Sequence, residues 1–426
     1  MRESPMTVLA NALPLRAAAA VAAELSDALA VPPPPEVGDD YGPSNPRWRD
    51  QSLSKGAAGA AVLHGVRARD GLGGGDSMHA WLARATREDL SAGGGAGLWF
   101  GAPAVAFAIA TAAPGQYPGA MRSLDAGVTQ LVHARLEAAL ARMVAAVRPS
   151  LSEFDLVRGL TGLGAYLLHR DPHGDLVRRV LAYLVRLTEP IPADDAAGLS
   201  APGWWTNDIP SRPPKPALDA GHANLGMAHG ISGPLALLAL AMGRGVTVAG
   251  HVAAIDRICQ WLDAWRHEAP AGPWWPEVVT LAELRTGRSV QEGPARPSWC
   301  YGTPGLARAQ QLAGLAVRDL ARQEVAEHAL ARCLSDPAQL ARIIDPALCH
   351  GWAGLIATAW CVDADARSPG IGAHLPRLVD TLLDHARDAP PGRLPGLIEG
   401  SAGVALTLHS IATETPGGWQ TCLLLT

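Results

Sequence analysis

A short glycine motif recurs along the sequence and constrains the fold more than any other feature. Each copy has the pattern G-x-x-G followed by small and apolar residues, although Ala104 replaces the second glycine of the second copy. Successive copies lie 45 to 72 residues apart, which is enough for two helices and their connections. We therefore expect seven helical hairpins. Their first glycines are Gly56, Gly101, Gly159, Gly230, Gly302, Gly351 and Gly400.

The stretches between the copies favour an all-α fold. Apolar residues recur every three or four positions, for example in residues 131–147 and 319–334, as in amphipathic helices. The last copy is as apolar as the middle ones, whereas an open array of repeats needs polar caps at its ends. The sequence thus predicts an α/α toroid, a closed ring of seven hairpins in which the G-x-x-G steps start the inner helices.

The predicted domain organisation is simple. Residues 1–50 form an N-terminal extension with a first helix, and residues 51–426 form a single toroid domain. A Pro/Gly-rich loop insertion is expected at residues 190–217, where the spacing between two copies is long.

Composition excludes two broad classes of protein. The formal net charge is −5 and 18% of residues are charged, so no basic face is available and no nucleic-acid partner is expected. The first 31 residues contain Arg16, Glu24 and Asp27 where a signal peptide stays apolar. No run approaches the roughly 18 to 20 apolar residues of a membrane span.

Six cysteines suit a reducing compartment better than a disulfide framework, and we expect a cytoplasmic protein.

The residues that could bind a metal or take part in catalysis occupy two equivalent positions of the repeat. Cys300 and Cys349 each lie two residues before the first glycine of their copies, and His229 and His350 each lie one residue before it. If rotation relates the repeats, equivalent positions lie at one height around the ring. These four side chains are therefore expected at the same end of one cavity.

Two thiolates and an imidazole are a ligand set that zinc prefers. Three protein ligands leave a fourth position open, which is typical of a catalytic zinc. The spacing of 49 residues between the two cysteines is not itself a zinc pattern. On these residues alone, buried thiols beside tight glycine turns and a capping histidine stay open as alternatives.

Several motifs resemble the LanC-like family of lanthipeptide (lantibiotic) cyclases. They are AHGISG at 228–233, WCYGTPG at 299–305, CHGWAGL at 349–355 and the terminal CLLLT at 422–426, together with the glycine steps. The resemblance covers the chain from about Ser52 onward, and it implies an α/α toroid that binds Zn²⁺ through Cys300, Cys349 and His350. The lost glycine of the second copy is a departure. No dehydratase, kinase or lyase segment is recognisable, so the resemblance is to stand-alone cyclases.

The resemblance also implies catalytic residues and a reaction. His229 in the AHG motif, Asp155 in DLVRGLTG, Arg296 four residues before the first zinc cysteine and Tyr301 after it are the implied catalytic group. The implied reaction is a Michael-type addition of precursor-peptide cysteine thiols to dehydroalanine or dehydrobutyrine, which forms lanthionine or methyllanthionine thioether rings.

The implied partners are a dehydrated precursor peptide with its leader segment, a dehydratase and a membrane transporter. Such a biosynthetic complex would place this cytoplasmic protein at the inner face of the membrane.

Three other interpretations stay open at this point. A LanC-like protein with nearly the same site could add glutathione to dehydroamino acids in damaged proteins. An α/α-barrel glycosidase would use two carboxylates, for instance Asp155 and Glu399, and a non-enzymatic binding module would hold a structural zinc. His222 and Asn224 are candidates for contacts that orient the site, although helix capping explains Asn224 equally well.

Overall fold

The computed structural model describes residues 13–34, 46–193, 198–208, 216–388 and 394–426. The helices are α1 (Leu13–Ala28), α2 (Pro46–Arg49), α3 (Ala57–Arg69), α4 (Gly75–Ala85), α5 (Ala102–Ala112), α6 (Pro118–Val144), α7 (Leu151–Phe154), α8 (Leu160–Arg170), α9 (Asp175–Leu187), α10 (Ser232–Gly243), α11 (His251–Ala264), α12 (Leu281–Thr286), α13 (Thr303–Val317), α14 (Leu320–Ser335), α15 (Pro337–Leu340), α16 (Trp352–Ala364), α17 (Leu375–Asp388) and α18 (Ser401–Thr413). Three short 3-10 helices lie at Pro216–Leu218, Gly372–His374 and Trp419–Leu423.

The chain forms two compact units. Unit 1 comprises Met1–Leu131, Ile343–Leu424 and Thr426, and unit 2 comprises Val132–Arg342 and Leu425. The single toroid domain expected for residues 51–426 stays a prediction. Of the expected N-terminal extension, residues 1–12 and 35–45 lie outside the described residues, as do 194–197 and 209–215 of the expected loop insertion.

The glycine steps start helices in all seven copies, as the sequence predicts. Each of these helices begins one or two residues after the first glycine of its copy, including α5 at the degenerate copy. They are buried along most of their length and on all sides, which is typical of helices enclosed by others. Pro103 and Pro304 lie in first turns, where a missing N–H costs nothing. The seven helices are α3, α5, α8, α10, α13, α16 and α18.

Most of these inner helices pack on the amphipathic helix that follows them in the chain. In unit 2 the pairs are α8 with α9, α10 with α11, and α13 with α14. In unit 1 they are α3 with α4 and α16 with α17. The last inner helix, α18, takes its partner from the other end of the chain, because α1 packs against it.

Backbone hydrogen bonds join the segments that precede neighbouring inner helices; we call these bonds the backbone belt. In unit 2 the N–H of Leu156 donates to the carbonyl of Ala228 at 3.1 Å. The N–H of Met227 in turn donates to the carbonyl of Cys300 at 3.0 Å. Ala228 and Cys300 occupy the same repeat position, so equivalent positions meet as the register argument expects.

The backbone belt has the same form in unit 1. The N–H of Cys349 donates to the carbonyl of Ile398 at 3.1 Å, and the N–H of Ile398 donates to the carbonyl of Ser54 at 3.0 Å. The N–H of Leu53 donates to the carbonyl of Trp99 at 3.1 Å. Main-chain hydrogen bonds thus connect four equivalent positions in sequence.

The second glycine of a step is required by a close backbone approach. A Cβ atom at Gly354 would clash with the carbonyl oxygen of Leu348, and one at Gly403 would clash with that of Leu397. In both cases the carbonyl lies six residues earlier, in the turn that enters the helix. The same relation holds at Gly59, Gly233 and Gly305.

Strands are few and short in the described residues. β1 (Ile191–Pro192) pairs antiparallel with β2 (Ser200–Ala201), and β3 (His222–Asn224) pairs antiparallel with β4 (Val278–Thr280). β3 leads directly into the AHG motif. None of the described helices has the combination of length and hydropathy that a membrane span requires.

We expect Gly403→Ala to lower the melting temperature. The added methyl group must displace the entering turn, and overpacking of this kind typically costs about 1 to 3 kcal/mol. Gly127→Ala in α6 is the matched control, because nothing lies within 4 Å of a Cβ there. Alanine in an open helical position should leave the melting temperature unchanged or raise it slightly. Equal melting temperatures for the two variants, measured by circular dichroism, would contradict the close approach.

Candidate metal centre and active site

Cys300 is held in a tight turn at the start of α13. The Ser298 hydroxyl donates to the carbonyl of Tyr301 at 2.5 Å and accepts from its N–H at 3.2 Å. Gly302 has a φ of +86°, and a Cβ there would lie 2.5 Å from the carbonyl oxygen of Arg296. The Ser298 Oγ lies 3.6 Å from the Cys300 Sγ, so the serine fixes the turn and contacts the thiol. Sequence reasoning missed this serine, although it stands two residues before the motif cysteine.

Asp345 organises the turn that carries Cys349 and His350. Its Oδ1 accepts from the N–H of Ala347 at 2.9 Å, and its carbonyl accepts from the N–H of Trp352 at 3.1 Å. Its Oδ2 lies 3.4 Å from the Nε2 of His350. Sequence reasoning also missed Asp345, for which the only signal is the Asp-Pro pair that opens the turn.

The three predicted metal ligands lie together. Cys300, Cys349 and His350 each offer one ligand atom, and these atoms are all within 4.8 Å of one another. Two sulfurs and an imidazole nitrogen form a soft donor set that suits zinc. This cluster could therefore hold a metal ion.

Three other thiols of the chain are buried, and burial raises their pKa. Cys259 and Cys333 are buried in α11 and α14, and burial raises the pKa of each thiol to about 12. Cys422 is fully enclosed near the C-terminal end, and burial raises its pKa as well. These thiols stay protonated near neutral pH, as structural core cysteines do.

His229 and Asp155 form a hydrogen-bonded pair in unit 2. The Nδ1 of His229 lies 2.7 Å from the Oδ2 of Asp155, which is fully buried, whereas the His229 side chain is 25% exposed. A carboxylate at this position accepts from Nδ1–H and leaves Nε2 as the nitrogen that can exchange a proton. The sequence analysis predicted both residues, and the structure brings them into contact.

Asp155 also has a structural role. Its Oδ1 accepts from the N–H groups of Arg158 at 2.5 Å and Gly159 at 2.9 Å, immediately before α8. One carboxylate therefore caps a turn with one oxygen and holds a histidine with the other. The two roles of this residue are compatible.

A polar cavity of about 330 Å³ lies beside Cys300 in unit 2. Two further residues of the predicted site, Arg296 and Tyr301, line this cavity. Burial raises the pKa of the Tyr301 phenol, so the phenol stays neutral and keeps its proton. The complete lining is Glu277, Arg296, Ser298, Cys300, Tyr301 and Arg342; no motif had pointed to Glu277 or Arg342.

Asn224 and His222 lie on β3 but have different surroundings. The Nδ2 of Asn224 donates to the phenol oxygen of Tyr301 at 2.8 Å, so Asn224 contacts a predicted site residue. His222 is fully buried, and neither of its ring nitrogens has a hydrogen-bond partner among the described residues. Burial lowers its pKa to about 4.

Glu399, the second carboxylate of the glycosidase interpretation, is engaged elsewhere in unit 1. Its Oε2 lies 3.0 Å from the Nζ of Lys55, and both side chains are more than one-third exposed. The two carboxylates of a glycosidase flank the scissile bond, whereas this carboxylate is paired with a lysine at the protein surface.

Comparison with known proteins agrees with the fold and the motifs. The chain belongs to the lanthionine synthetase C-like family, whose model matches residues 47–424. It is 26% identical over 212 residues to the nisin biosynthesis protein NisC of Lactococcus lactis subsp. lactis. That match covers 48% of this chain and 48% of the relative, so the chain spans about half the length of this relative.

A solved structure of nisin cyclase matches over 96% of this chain and 97% of its own, with a TM-score of 0.73 and 19% identity. This similarity is one of fold. The prediction of an all-α protein with the α/α toroid fold is thereby confirmed.

We expect His222→Phe to make the protein less sensitive to acid. The pKa of His222 is 6.5 in its ordinary state and about 4 in the folded protein, so the unfolded chain takes up this proton first. Folding stability therefore falls as pH drops from about 6.5 towards 4. Phenylalanine has a similar shape, and the ring of His222 makes no hydrogen bond among the described residues.

The melting temperature of His222→Phe should decline less steeply with falling pH than that of the wild type. His328→Phe, at an exposed position of α14, is the matched control. Parallel slopes for wild type and His222→Phe would show that His222 does not titrate in this way.

Proposed function

We propose that this protein is a zinc-dependent lanthipeptide cyclase. It adds cysteine thiols of a dehydrated precursor peptide to dehydroalanine or dehydrobutyrine, forming lanthionine and methyllanthionine rings. The observation that carries the proposal is the proximity of the Cys300, Cys349 and His350 ligand atoms. Membership of the lanthionine synthetase C-like family and similarity to a nisin biosynthesis protein support it.

Cys300, Cys349 and His350 would hold the zinc and leave one coordination position for substrate. Bound zinc would favour the thiolate of the substrate cysteine, whose free thiol has a pKa of about 8.5 and is only slightly ionised at neutral pH. In the addition, the thiol loses its proton, the sulfur forms a bond to the β-carbon, the carbon–carbon double bond becomes single, and a proton is added at the α-carbon, so one proton is released and one is taken up.

His229 supplies that proton in the proposed mechanism. Its Nδ1 is hydrogen bonded to Asp155, so Nε2 is the nitrogen that faces the transfer. The Asp155 carboxylate orients the imidazole through this hydrogen bond. The carboxylate is itself held by two backbone N–H groups, so the pair does not need to reorganise during the reaction.

Arg296 and Tyr301 act on the charge that develops during addition. The attack at the β-carbon places negative charge on the carbonyl oxygen of the dehydro residue. The Arg296 cation and the neutral Tyr301 phenol share the cavity beside Cys300, where they can stabilise that oxygen.

The proposed partners follow from the substrate. A dehydratase must produce the dehydro residues beforehand, and the precursor peptide is expected to be recognised through its leader segment. We also propose a cytoplasmic location and a complex with the dehydratase and a membrane transporter.

Metal analysis tests the proposed zinc site. We expect about one zinc per chain in the purified wild type and a large loss in Cys349→Ala, because the remaining two ligands hold the ion poorly. Cys361→Ala, a buried thiol in α16 of the same unit, should keep its zinc. Absence of zinc from the wild type, or equal zinc in both variants, would refute the site. Unfolding of Cys349→Ala would instead favour a structural zinc.

We expect His229→Ala to retain its zinc and to close rings about 10² to 10⁴ times more slowly, which is the usual contribution of general acid catalysis. Turnover is measured by mass spectrometry of a dehydrated precursor after thiol alkylation. His328→Ala is the control for removal of a histidine. Unchanged turnover in His229→Ala would remove His229 from the mechanism, and efficient addition of free glutathione in place of cyclisation would redefine the thiol donor.

A further inference from the structure

We propose that Asn224 is a positioning residue for Tyr301. It accounts for the direction of the phenol O–H bond, which points away from β3 and into the cavity beside Cys300, where it can donate to the substrate carbonyl oxygen. The substrate part of this inference rests on the proposed function; the orientation itself rests on the hydrogen bonds described next.

The orientation of the Asn224 carboxamide is determined by the backbone. Its Oδ1 accepts from the N–H of Gly226 at 3.0 Å. Only the carbonyl end of the amide can accept this bond, so the NH₂ end must face the other way. That end lies 2.8 Å from the phenol oxygen of Tyr301. Asn224 therefore donates, and the phenol oxygen accepts.

Asn224 itself has little freedom to move. It is fully buried, its strand β3 pairs with β4 through Asn224 and Val278, and its carbonyl accepts from the N–H of Ile231 at 2.9 Å. A Cβ at Gly226 would lie 2.7 Å from both the carbonyl oxygen of Cys300 and the Tyr301 ring. The β3 segment is thus packed directly against the turn that carries the site.

The phenol proton of Tyr301 is directed into the cavity, where it can be donated to a ligand. A phenol has one proton, and an oxygen that accepts from an amide directs this proton elsewhere. Among the described residues, Asn224 is the hydrogen-bond partner of the Tyr301 hydroxyl. The guanidinium groups of Arg296 and Arg342 in the cavity lining cannot accept a hydrogen bond. The Glu277 carboxylate in the same lining can accept one, but it is not hydrogen bonded to the Tyr301 hydroxyl, whose described partner is Asn224. The Tyr301 hydroxyl would therefore already be oriented to donate to an incoming carbonyl oxygen.

Asn224→Ser is the main test variant. Serine keeps an oxygen that can accept from the N–H of Gly226, as in turns formed by serine, but it is too short to reach the phenol. Asn224→Leu removes both interactions and is the second variant. Asn207→Ser, outside the site and bonded through its Nδ2 to the carbonyl of Asp219, is the matched control. Melting temperature and zinc content establish which variants are folded and metal-bound.

Raman spectroscopy gives a readout that needs no turnover. The intensity ratio of the tyrosine doublet distinguishes a phenol that accepts a hydrogen bond from one that does not. Subtracting the spectrum of Tyr301→Phe isolates Tyr301 from the other tyrosines, of which the chain has 5 in all. We expect an acceptor signature in the wild type and in Asn207→Ser, and its loss in Asn224→Ser and Asn224→Leu. The same signature in all four proteins would overturn the proposal.

Kinetics on a dehydrated precursor test the consequence for catalysis. We expect Asn224→Ser to lower kcat about 3- to 10-fold with little change in KM, which corresponds to one neutral hydrogen bond. In a Tyr301→Phe background the same substitution should change kcat by less than about twofold, because the group through which Asn224 acts is gone. An equal loss in both backgrounds would reduce Asn224 to a fold-stabilising residue and overturn its positioning role.

The two proposals fail in different ways. If no protein forms thioether rings while the Raman signatures change as expected, the proposed function fails and the orientation of Tyr301 stands. If the wild type cyclises its substrate and the signatures do not change, the proposed function stands and the role of Asn224 fails.

Discussion

The backbone belt is the constraint on which the arrangement of the site depends. In each unit, main-chain N–H and C=O groups at equivalent repeat positions bond to one another, as at Ala228 and Cys300 or at Cys349 and Ile398. Main-chain bonds of this kind do not depend on the side chain that the residue carries. The same position can therefore hold alanine, isoleucine, serine or cysteine while its height is preserved. The side chains at these positions, and therefore their chemistry, can differ while the backbone arrangement stays the same.

Several predicted site residues are stabilised by the same bonds that fold their turns. Asp155 caps the turn before α8 and holds His229, and Ser298 closes its turn while contacting the Cys300 thiol. Asp345 does the same for the CHG segment. Functional side chains placed in this way lose little conformational entropy on binding, because folding has already ordered them. Substitutions of these aspartates therefore affect folding and the site together.

The sequence predicts the positions that repeat and little of what lies between them. All seven helix starts follow from the glycine register. At Gly354 and Gly403 a close backbone approach leaves room for no other residue. The contact of His229 with Asp155 was within reach because both belong to recognisable motifs. Asn224, by contrast, stands in a three-residue strand with no alternating pattern, and its bond to Tyr301 spans 77 positions. Arg342 and Glu277 line the cavity from connections between helices. Such connections have no periodic sequence pattern from which their position could be predicted.

The pairing of α1 with α18 has a consequence for how the chain matures on the ribosome. Unit 2 is nearly continuous in sequence, so its helices can associate soon after they emerge. The apolar side of α1, including Ala18, Val21 and Ala22, is translated before α18, the helix against which it packs, which is made more than 370 residues later. Until then that surface is exposed to solvent and to other nascent polypeptides. Vectorial synthesis therefore leaves α1 without this packing partner until α18 has been made.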